Sequence, residues 1–420
     1  MSTVSTPEGM TDPSAATLVR PVGATERFFY RYSEANPTHF LLVAEFDGEL
    51  AEDQLRGALD AVQKRHPLLT VHVEDHTMSR LGFYRPDEVA SIPLTVRHSS
   101  EDSWHSLAAQ ELSRPFDRSI APLIRATLLR TPSSSTVLLT FDHAIADGIS
   151  SVLVFDDLVG ALNGSPVLTR STPSVLEDLL VQRVRAVDPP PTEPDARMTI
   201  PSTIRPFDGA APHLHTATLS QLETARLVNR CRAERTTVHA ALLVAASSVR
   251  ARLHGLSFVR ALSPIDIRKP IHNPPDCALY ITCTTTGLAT TGDESFWTRA
   301  RMMTDQLAAA WSASGVLTAA AGLAQAIDTH ADRADAEDVF THQLPWELLM
   351  TNLGRQSIAS NFELRPRALW GPIVQSQTAR EYVTGTATYA QQMRMVAVGY
   401  QPTARFLDGV VAALEKAVAG

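Results

Sequence analysis

A histidine and an aspartate four residues apart form the segment of this chain best suited to chemistry. His143 follows the apolar run Thr136–Phe141, and Asp147-Gly148 precedes the apolar run Ile149–Leu162. The first run is typical of a strand and the second has helical periodicity, so the imidazole is expected at a strand end before a tight turn. An imidazole with an ordinary pKa near ~6.5 accepts a proton at neutral pH. The spacing therefore predicts a general base at the mouth of a cleft, and Gly148 is expected to adopt a backbone conformation that other residues resist.

Each of these residues also has a purely structural interpretation. His143 could be a core histidine whose hydrogen bonds are satisfied, and Asp147 could serve only as the N-cap of the following helix. A metal site is not favoured, because one imidazole and one carboxylate are too few ligands and the sequence has no H-E-x-x-H element. A serine nucleophile is not predicted, because no G-x-S-x-G element is present.

The composition is that of an ordinary globular protein. The chain has 420 residues, which exceeds the usual limit for one core and predicts two domains. The formal net charge of −8 argues against a nucleic-acid binder. Three cysteines without a C-x-x-C pair fit a reducing compartment. We expect a cytoplasmic location, because the start of the chain lacks signal-peptide features and no apolar run approaches the ~18 residues of a membrane helix.

A proline-rich segment divides the chain. Residues 188–206 carry six prolines and are predicted to be a linker. Residues 1–17 are predicted to be a flexible arm, 18–187 an N-terminal α/β domain, and 207–420 a C-terminal α/β domain. The last part of the second domain is predicted to hold several strands and a closing helix. These are the strands Trp346–Asn352, Ser357–Leu364, Ala368–Val374, Glu381–Thr388 and Met393–Val398, and the helix Pro402–Val418.

The segment Asp142–Gly148 resembles the H-H-x-x-x-D-G signature of the condensation-domain superfamily. This superfamily includes the condensation domains of nonribosomal peptide synthetases, chloramphenicol acetyltransferase, the plant BAHD acyltransferases and the mycobacterial polyketide-associated acyltransferases. Further segments resemble other family elements in order and spacing, from Arg65 to Gly354. They are Arg65–Leu69 (R-H-P-x-L), Arg114–Asp117 with Ala121–Ala126 (P-F-D and P-L-x-R), Ser263–Arg268 (P-x-D-x-R) and Thr351–Gly354 (S-N-x-G).

The sequence departs from the family pattern in two places. The first histidine of the paired signature is Asp142 here, while His143 keeps the position of the catalytic histidine. The D-F-G-W-G element of the plant enzymes is absent, which disfavours that branch. A single condensation-like unit, with no carrier or adenylation domain attached, favours a free-standing enzyme.

The resemblance implies two chloramphenicol-acetyltransferase-like domains with the active site in a tunnel at their interface. His143 would act as general base, and Asp147 would pair with Arg268. The side chain of Asn352 and a backbone N–H near Gly148 would both donate hydrogen bonds to the oxyanion. The implied reaction transfers an acyl group from a thioester to an alcohol, forming an ester in secondary-metabolite or lipid biosynthesis. The donor would be coenzyme A or an acyl- or peptidyl-carrier protein with its phosphopantetheine arm. No permanently bound cofactor or metal is expected, and we expect a monomer.

Other interpretations stay open at this point. The enzyme could form amides, or the chain could be a catalytically silent platform that docks carrier proteins, or a small-molecule binding protein. Arg268 could be a surface arginine and Asn352 a turn residue. The aromatic residues Phe28, Phe29, Tyr30 and Tyr32 could line an acyl channel, although ordinary packing explains them more simply.

Overall fold

The computed structural model of the chain describes residues 16–75, 81–98, 103–185, 195–272, 276–358 and 362–420. Strands and helices are mixed along the described residues. The strands are β1 (Ala16–Pro21), β2 (Phe40–Asp47), β3 (His72–Glu74), β4 (Gly82–Pro86), β5 (Leu94–His98), β6 (Ile124–Thr131), β7 (Ser134–Phe141), β8 (His213–Leu219), β9 (Phe258–Asp266), β10 (Ile281–Ala289), β11 (Leu348–Gln356), β12 (Ala368–Val374), β13 (Tyr382–Tyr389) and β14 (Gln392–Gly399). The helices are α1 (Ala24–Tyr32), α2 (Glu52–Arg65), α3 (Trp104–Leu112), α4 (Gly148–Leu162), α5 (Leu176–Arg183), α6 (Gln221–Ala233), α7 (Val238–His254), α8 (Phe296–Trp311), α9 (Ala313–Ala326), α10 (Arg333–Asp338) and α11 (Ala404–Ala419).

The strand that leads to His143 is the middle of a sheet. Within the described residues this sheet has the order β12-β2-β7-β6-β5. β6 and β7 form an antiparallel hairpin, with Ile124 opposite Phe141 and Thr131 opposite Ser134. Nearly all of β7 is buried, as expected for a strand with neighbours on both sides. Its carboxyl end is therefore a fixed support for the turn that follows.

One strand of this sheet comes from the second half of the sequence. β12 pairs antiparallel with β2, with Ala368 opposite Glu45 and Val374 opposite Phe40. Further along the chain, Gly385 of β13 lies against the backbone of β12, where a Cβ atom would clash with the carbonyl group of Pro372. The first sheet is therefore completed by a strand that also contacts the second sheet.

The second sheet carries the remaining predicted site residues. Within the described residues its order is β10-β9-β11-β13-β14-β8, and β11 runs parallel to β9 and β13. The carboxyl ends of parallel neighbours lie at the same edge of a sheet. Arg268 follows the end of β9, and Asn352 is the middle residue of β11. Because Leu349 pairs with Leu262, Asn352 lies beside the end of β9. The topology thus brings both residues to one edge.

Two hydrophobic clusters fill the described structure. The smaller one lies between the second sheet and helices α6, α7, α8 and α11. The larger one contains buried side chains of both halves, for example Phe141, Leu158, Ile265 and Phe340. Burying a side chain of this size contributes about 1.5–3 kcal/mol. The contact between the halves is therefore itself part of a packed core.

Among the described residues, no single helix is both long enough and apolar enough to span a membrane. Helices α8 and α9 have the length and apolarity of a membrane span only when they are taken together, and they are bent by 66° at the break between them.

Two sequence-based expectations are changed by the structure. Residues 1–15 and 186–194 lie outside the described residues, whereas Ala16 and Thr17 of the predicted arm already belong to β1. The predicted strand Ser357–Leu364 is wrong for the part of that range that the structure describes. The backbone of Leu364 instead exchanges two hydrogen bonds with the side-chain amide of Asn163 (2.7 and 3.2 Å), so it does not pair with a strand.

Candidate active site

The turn between β7 and α4 is fixed by Asp142. Its buried carboxylate accepts a hydrogen bond from the N–H of Ala144 (2.9 Å), and its own N–H donates to the carbonyl of Leu123 (3.0 Å). Burial raises the pKa of the Asp142 carboxyl. The residue that replaces the first histidine of the family signature therefore shapes the turn that presents His143.

Asp147 begins α4 and is completely buried. One carboxylate oxygen accepts from the N–H of Ser150 (2.8 Å), which makes Asp147 the N-cap of the helix. The other oxygen accepts from the Arg268 guanidinium (2.9 Å) and from the N–H of Tyr280 (2.8 Å). The contact between Asp147 and Arg268 that the sequence predicts is thus present, and the same carboxylate also caps the helix.

Arg268 joins the two halves of the chain and is not a surface arginine. Its guanidinium donates hydrogen bonds to acceptors from three segments. They are Asp147 (2.9 Å), Asp266 (2.8 Å), the Ser150 hydroxyl (2.9 Å) and the carbonyl groups of Asp276 (3.2 Å) and Ala278 (3.1 Å). Burial opposes the charge of the guanidinium, but Asp147 and Asp266 outweigh burial and raise the pKa of Arg268. The last residue of the turn, the start of α4 and the loop after β9 are therefore held by one buried cation.

His143 lies against two aromatic rings at the end of β7. The ring of Phe29 stacks on the imidazole with centroids 4.0 Å apart and an angle of 10° between the planes, and the Phe40 ring lies at 4.8 Å. Nδ1 is buried and makes no hydrogen bond of good geometry among the described residues, although backbone groups of His143 and Ala146 lie near the ring, and His143 lines the adjacent cavity. His143 is therefore not a core histidine with satisfied nitrogens.

The environment of His143 favours its neutral form. Burial lowers the pKa of His143 to about 4, although the charge of Asp147 and backbone groups of His143 and Ala146 oppose the shift. The carboxylate of Asp147 makes its hydrogen bonds to Arg268 and Ser150 and not to the imidazole. At pH 7 the imidazole is therefore neutral and can accept a proton.

Gly148 is required by close packing and not by its backbone conformation. A Cβ atom at this position would lie 2.9 Å from the Leu353 side chain and 3.0 Å from the Pro372 ring. Gly148 is absent from the glycines with positive φ, so the expected unusual backbone conformation is wrong. It is the first residue of α4, where the tight approach lets the second half of the chain contact the helix N-terminus.

Asn352 is both a turn residue and a donor. Its side-chain oxygen accepts a hydrogen bond from the N–H of Gly354 (2.8 Å), at an irregularity in the pairing of β11. Gly354 has φ +69°, which favours glycine in this turn. The side-chain nitrogen of Asn352 has no partner among the described residues, and the residue lines the same cavity as His143. The amide N–H groups are thus available to a ligand.

The His143 cavity, as we call this space, has a volume of about 210 Å³ and is lined by both halves of the chain. The first half contributes Phe29, Thr38, Phe40, His143, Gly148 and Ile149. The second half contributes, among others, Asp266, Cys283, Asn352 and Pro372. Burial raises the pKa of the Cys283 thiol to about 12, so this cysteine is protonated and is not an activated nucleophile. Among the described residues that line this cavity, His143 is the neutral side chain with a basic nitrogen.

Several residues of the site have no signal in the sequence. Ser150 links Arg268 to the loop before β10, because its hydroxyl donates to the Ala278 carbonyl (2.6 Å) and accepts from the Ala278 N–H (3.0 Å). Phe29 and Tyr280 are brought next to His143 and Asp147 only when the chain folds. The pattern of turns and apolar runs could not identify them, since each acts on a residue more than a hundred positions away.

Comparisons with known proteins show which family this part of the chain resembles. Residues 26–173 match the family model of the condensation domain. Tyrocidine synthase 3 of Brevibacillus parabrevis is 28% identical over 123 residues, which is 29% of this chain but 2% of that protein. The predicted resemblance to the condensation-domain superfamily is therefore confirmed for this part of the chain. The matched region contains His143, Asp147 and Gly148, while Arg268 and Asn352 lie beyond it.

Solved structures match the fold along almost the whole chain. Polyketide synthase associated protein 5 from Mycobacterium tuberculosis has a TM-score of 0.70 at 18% identity, covering 96% of this chain and 98% of that one. SgcC5 from Streptomyces globisporus has a TM-score of 0.62 at 16% identity, covering 95% and 99%. The predicted fold class, two chloramphenicol-acetyltransferase-like α/β lobes, is confirmed.

Proposed function

We propose that this condensation-like protein is an acyltransferase that moves an acyl group from a thioester to an alcohol, with His143 as the general base. The observation that carries the proposal is the His143 cavity. The neutral imidazole of His143 lines a space formed by both halves of the chain, and Asn352 lines the same space. A neutral alcohol is a poor nucleophile, so a base within hydrogen-bond reach contributes about 10²–10⁴ to the rate.

The proposed reaction needs no covalent acyl-enzyme. Nε2 of His143 takes the proton of the acceptor hydroxyl while the oxygen attacks the thioester carbonyl carbon. The tetrahedral oxyanion receives hydrogen bonds from Asn352 and from the N–H groups at the start of α4, where Gly148 and Ile149 line the cavity. Collapse of the intermediate breaks the carbon–sulfur bond, and the thiolate takes the proton from the imidazolium. The products are an ester and a free thiol, and His143 is neutral again.

Asp147 and Arg268 act as positioning residues in this proposal. Neither residue forms a hydrogen bond with the imidazole, and both hold the turn that carries it. Arg268 also ties the end of β9 to the start of α4, so the cavity keeps its shape when substrates bind. We expect changes at these two positions to act on stability and on the placement of His143 together.

The relatives support a thioester donor and an alcohol acceptor, and two other functions are kept as candidates. Tyrocidine synthase 3 supports a thioester donor on a phosphopantetheine arm of a carrier protein, with coenzyme A as the alternative carrier of the acyl group. The structure of SgcC5 was determined with a naphthyl ethanediol, which supports an alcohol as acceptor. An amine acceptor uses the same residues and is the second candidate. A silent platform for carrier proteins is the third.

A substrate panel separates these candidates. Acyl-pantetheine and acyl-coenzyme A thioesters are incubated with alcohols and amines, and products are identified by mass spectrometry. The proposal predicts ester products that are lost in His143→Ala and His143→Gln. His239→Ala is the matched control, since burial also lowers the pKa of His239 to about 4 but this residue does not line the cavity. Amide products alone would favour the second candidate, and activity that persists without His143 would refute the assigned base.

A further inference from the structure

A second cavity adjoins the His143 cavity and is almost entirely apolar. It has a volume of about 210 Å³ and lies between α1, β10, α9 and the turn after α10. Because one of its walls is α9, we call it the α9 cavity. It shares four lining residues with the His143 cavity, which are Phe29, Ile281, Cys283 and Phe340. The two spaces are therefore separated by single side chains.

The wall of the α9 cavity suits a hydrocarbon. Its lining residues include Phe28, Val339, Leu323 and Leu344, and none of the described residues that line it is charged at neutral pH. A charged group placed there would lose its hydration without gaining a counter-charge, which is costly. An unsubstituted chain gains free energy from the same burial. The cavity thus favours a fatty acyl group over an aminoacyl group with its ammonium.

Phe29 places this cavity directly behind the proposed base. Its ring stacks on His143 with centroids 4.0 Å apart and also lines the α9 cavity. Phe340 lines both cavities and packs edge-on against Phe28 with centroids 4.8 Å apart. A chain in the α9 cavity would therefore end within one ring of the imidazole. The carbonyl end of the acyl group must then pass these shared side chains to lie in the His143 cavity.

We propose that the α9 cavity holds the hydrocarbon chain of the acyl donor, and that α9 sets the accepted chain length. The assignment rests on the acyl transfer proposed above. The part of α9 that faces the cavity carries small side chains, at Thr318, Ala319 and Gly322. Gly322 is exposed, and a Cβ atom there would meet no heavy atom within 4 Å, so a larger side chain is accommodated at the outer end of the cavity. Such a side chain would take the volume of the far end of the acyl chain.

The test compares acyl thioesters from two to twelve carbons with one fixed acceptor. In the wild type, each methylene that enters the cavity should raise kcat/KM about three- to fourfold, until the cavity is full. Ala319→Leu and Gly322→Leu should shift the optimum to shorter chains, with at least a tenfold loss for decanoyl and little change for acetyl. Gly57→Leu is the matched control, because this helical glycine also has free space around its Cβ but lines neither cavity. Its profile should equal that of the wild type.

Two results would overturn the assignment. One is a flat dependence on acyl length, or α9 variants that behave like Gly57→Leu. The other is a rate that follows the chain length of the acceptor and not of the acyl group, since the cavity would then hold the acceptor.

A binding measurement separates this inference from the proposed reaction. Decanoic acid should displace a fluorescent polyene fatty acid from the wild type, and both α9 variants should weaken that displacement at least fivefold. If no thioester gives product but this pattern is found, the cavity binds the chain and the proposed reaction is wrong. If neither product nor variant-sensitive binding is found, the inference itself is refuted.

Discussion

Replacing Arg268 by alanine is expected to destabilise the protein strongly, because the change leaves a buried carboxylate without its cation. The side chain of Asp147 has no exposed surface, and that of Arg268 is 9% exposed. Without Arg268, the charge of Asp147 keeps only the N–H groups of Ser150 and Tyr280. Breaking a buried ion pair from one side costs about 3–5 kcal/mol in the free energy of unfolding. Urea unfolding at neutral pH measures this quantity.

A double-mutant cycle assigns the cost to the pair. In the Asp147→Asn background the buried charge is absent, so Arg268→Ala should cost about 1–3 kcal/mol less than in the wild type. The remaining cost reflects the lost hydrogen bonds to Ala278 and Asp276. Asp266 adds less, because its side chain is 38% exposed and stays hydrated.

An exposed ion pair provides the control. Arg367 contacts Glu45 (2.6 Å) and Asp47 (3.3 Å) with 47% of its side chain exposed, so Arg367→Ala should cost less than about 1 kcal/mol. The reasoning is refuted if Arg268→Ala costs no more than Arg367→Ala. It is also refuted if Arg268→Ala costs the same with and without the Asp147 charge.

Three further predictions concern packing and pH. Gly148→Ala should lower the free energy of unfolding by about 1–3 kcal/mol, because its Cβ would overlap the second half, while Gly57→Ala should not lower it; equal effects would contradict the packing role. The folded state keeps His239 neutral, so its contribution to stability is full above pH ~6.5 and is lost as pH falls toward 4, by up to about 1.4 kcal/mol per pH unit. His239→Gln should therefore lose less stability than the wild type over that window in urea titrations, and identical losses would contradict the shift. With His143 as a base whose pKa is about 4, kcat/KM should hold from pH 8 to about 5 and fall below it; a fall centred near 6.5 would contradict the assigned environment.

Local patterns in the sequence were sufficient for most of the elements around the site. The strand before His143 and the helix after Asp147 were predicted because their periodicities are complete within a few residues. Ser220 caps α6 through a capping box with Glu223, a pattern that is local because both partners are close in sequence. The helix α9 was not predicted, since its alanine-rich sequence with two glycines has little periodicity to detect.

What the sequence could not predict depends on contacts between distant segments. Phe29 was assigned to ordinary packing, and only the fold shows that its ring stacks on His143. The pairing of β12 with β2 joins residues more than three hundred positions apart, and no local pattern carries that register. Gly148 was predicted for the wrong physical reason, because the residues that crowd it, Leu353 and Pro372, come from the second half.

The most direct test of the central claim is the single-turnover rate of His143→Ala, measured with a thioester and an acceptor that the wild type converts. A neutral imidazole that accepts the hydroxyl proton predicts a rate about 10²–10⁴-fold lower, with substrate binding nearly unchanged. His143→Gln should be equally slow, and His239→Ala should keep the wild-type rate. A His143→Ala protein that folds normally and turns over as fast as the wild type would contradict the claim that His143 is the base.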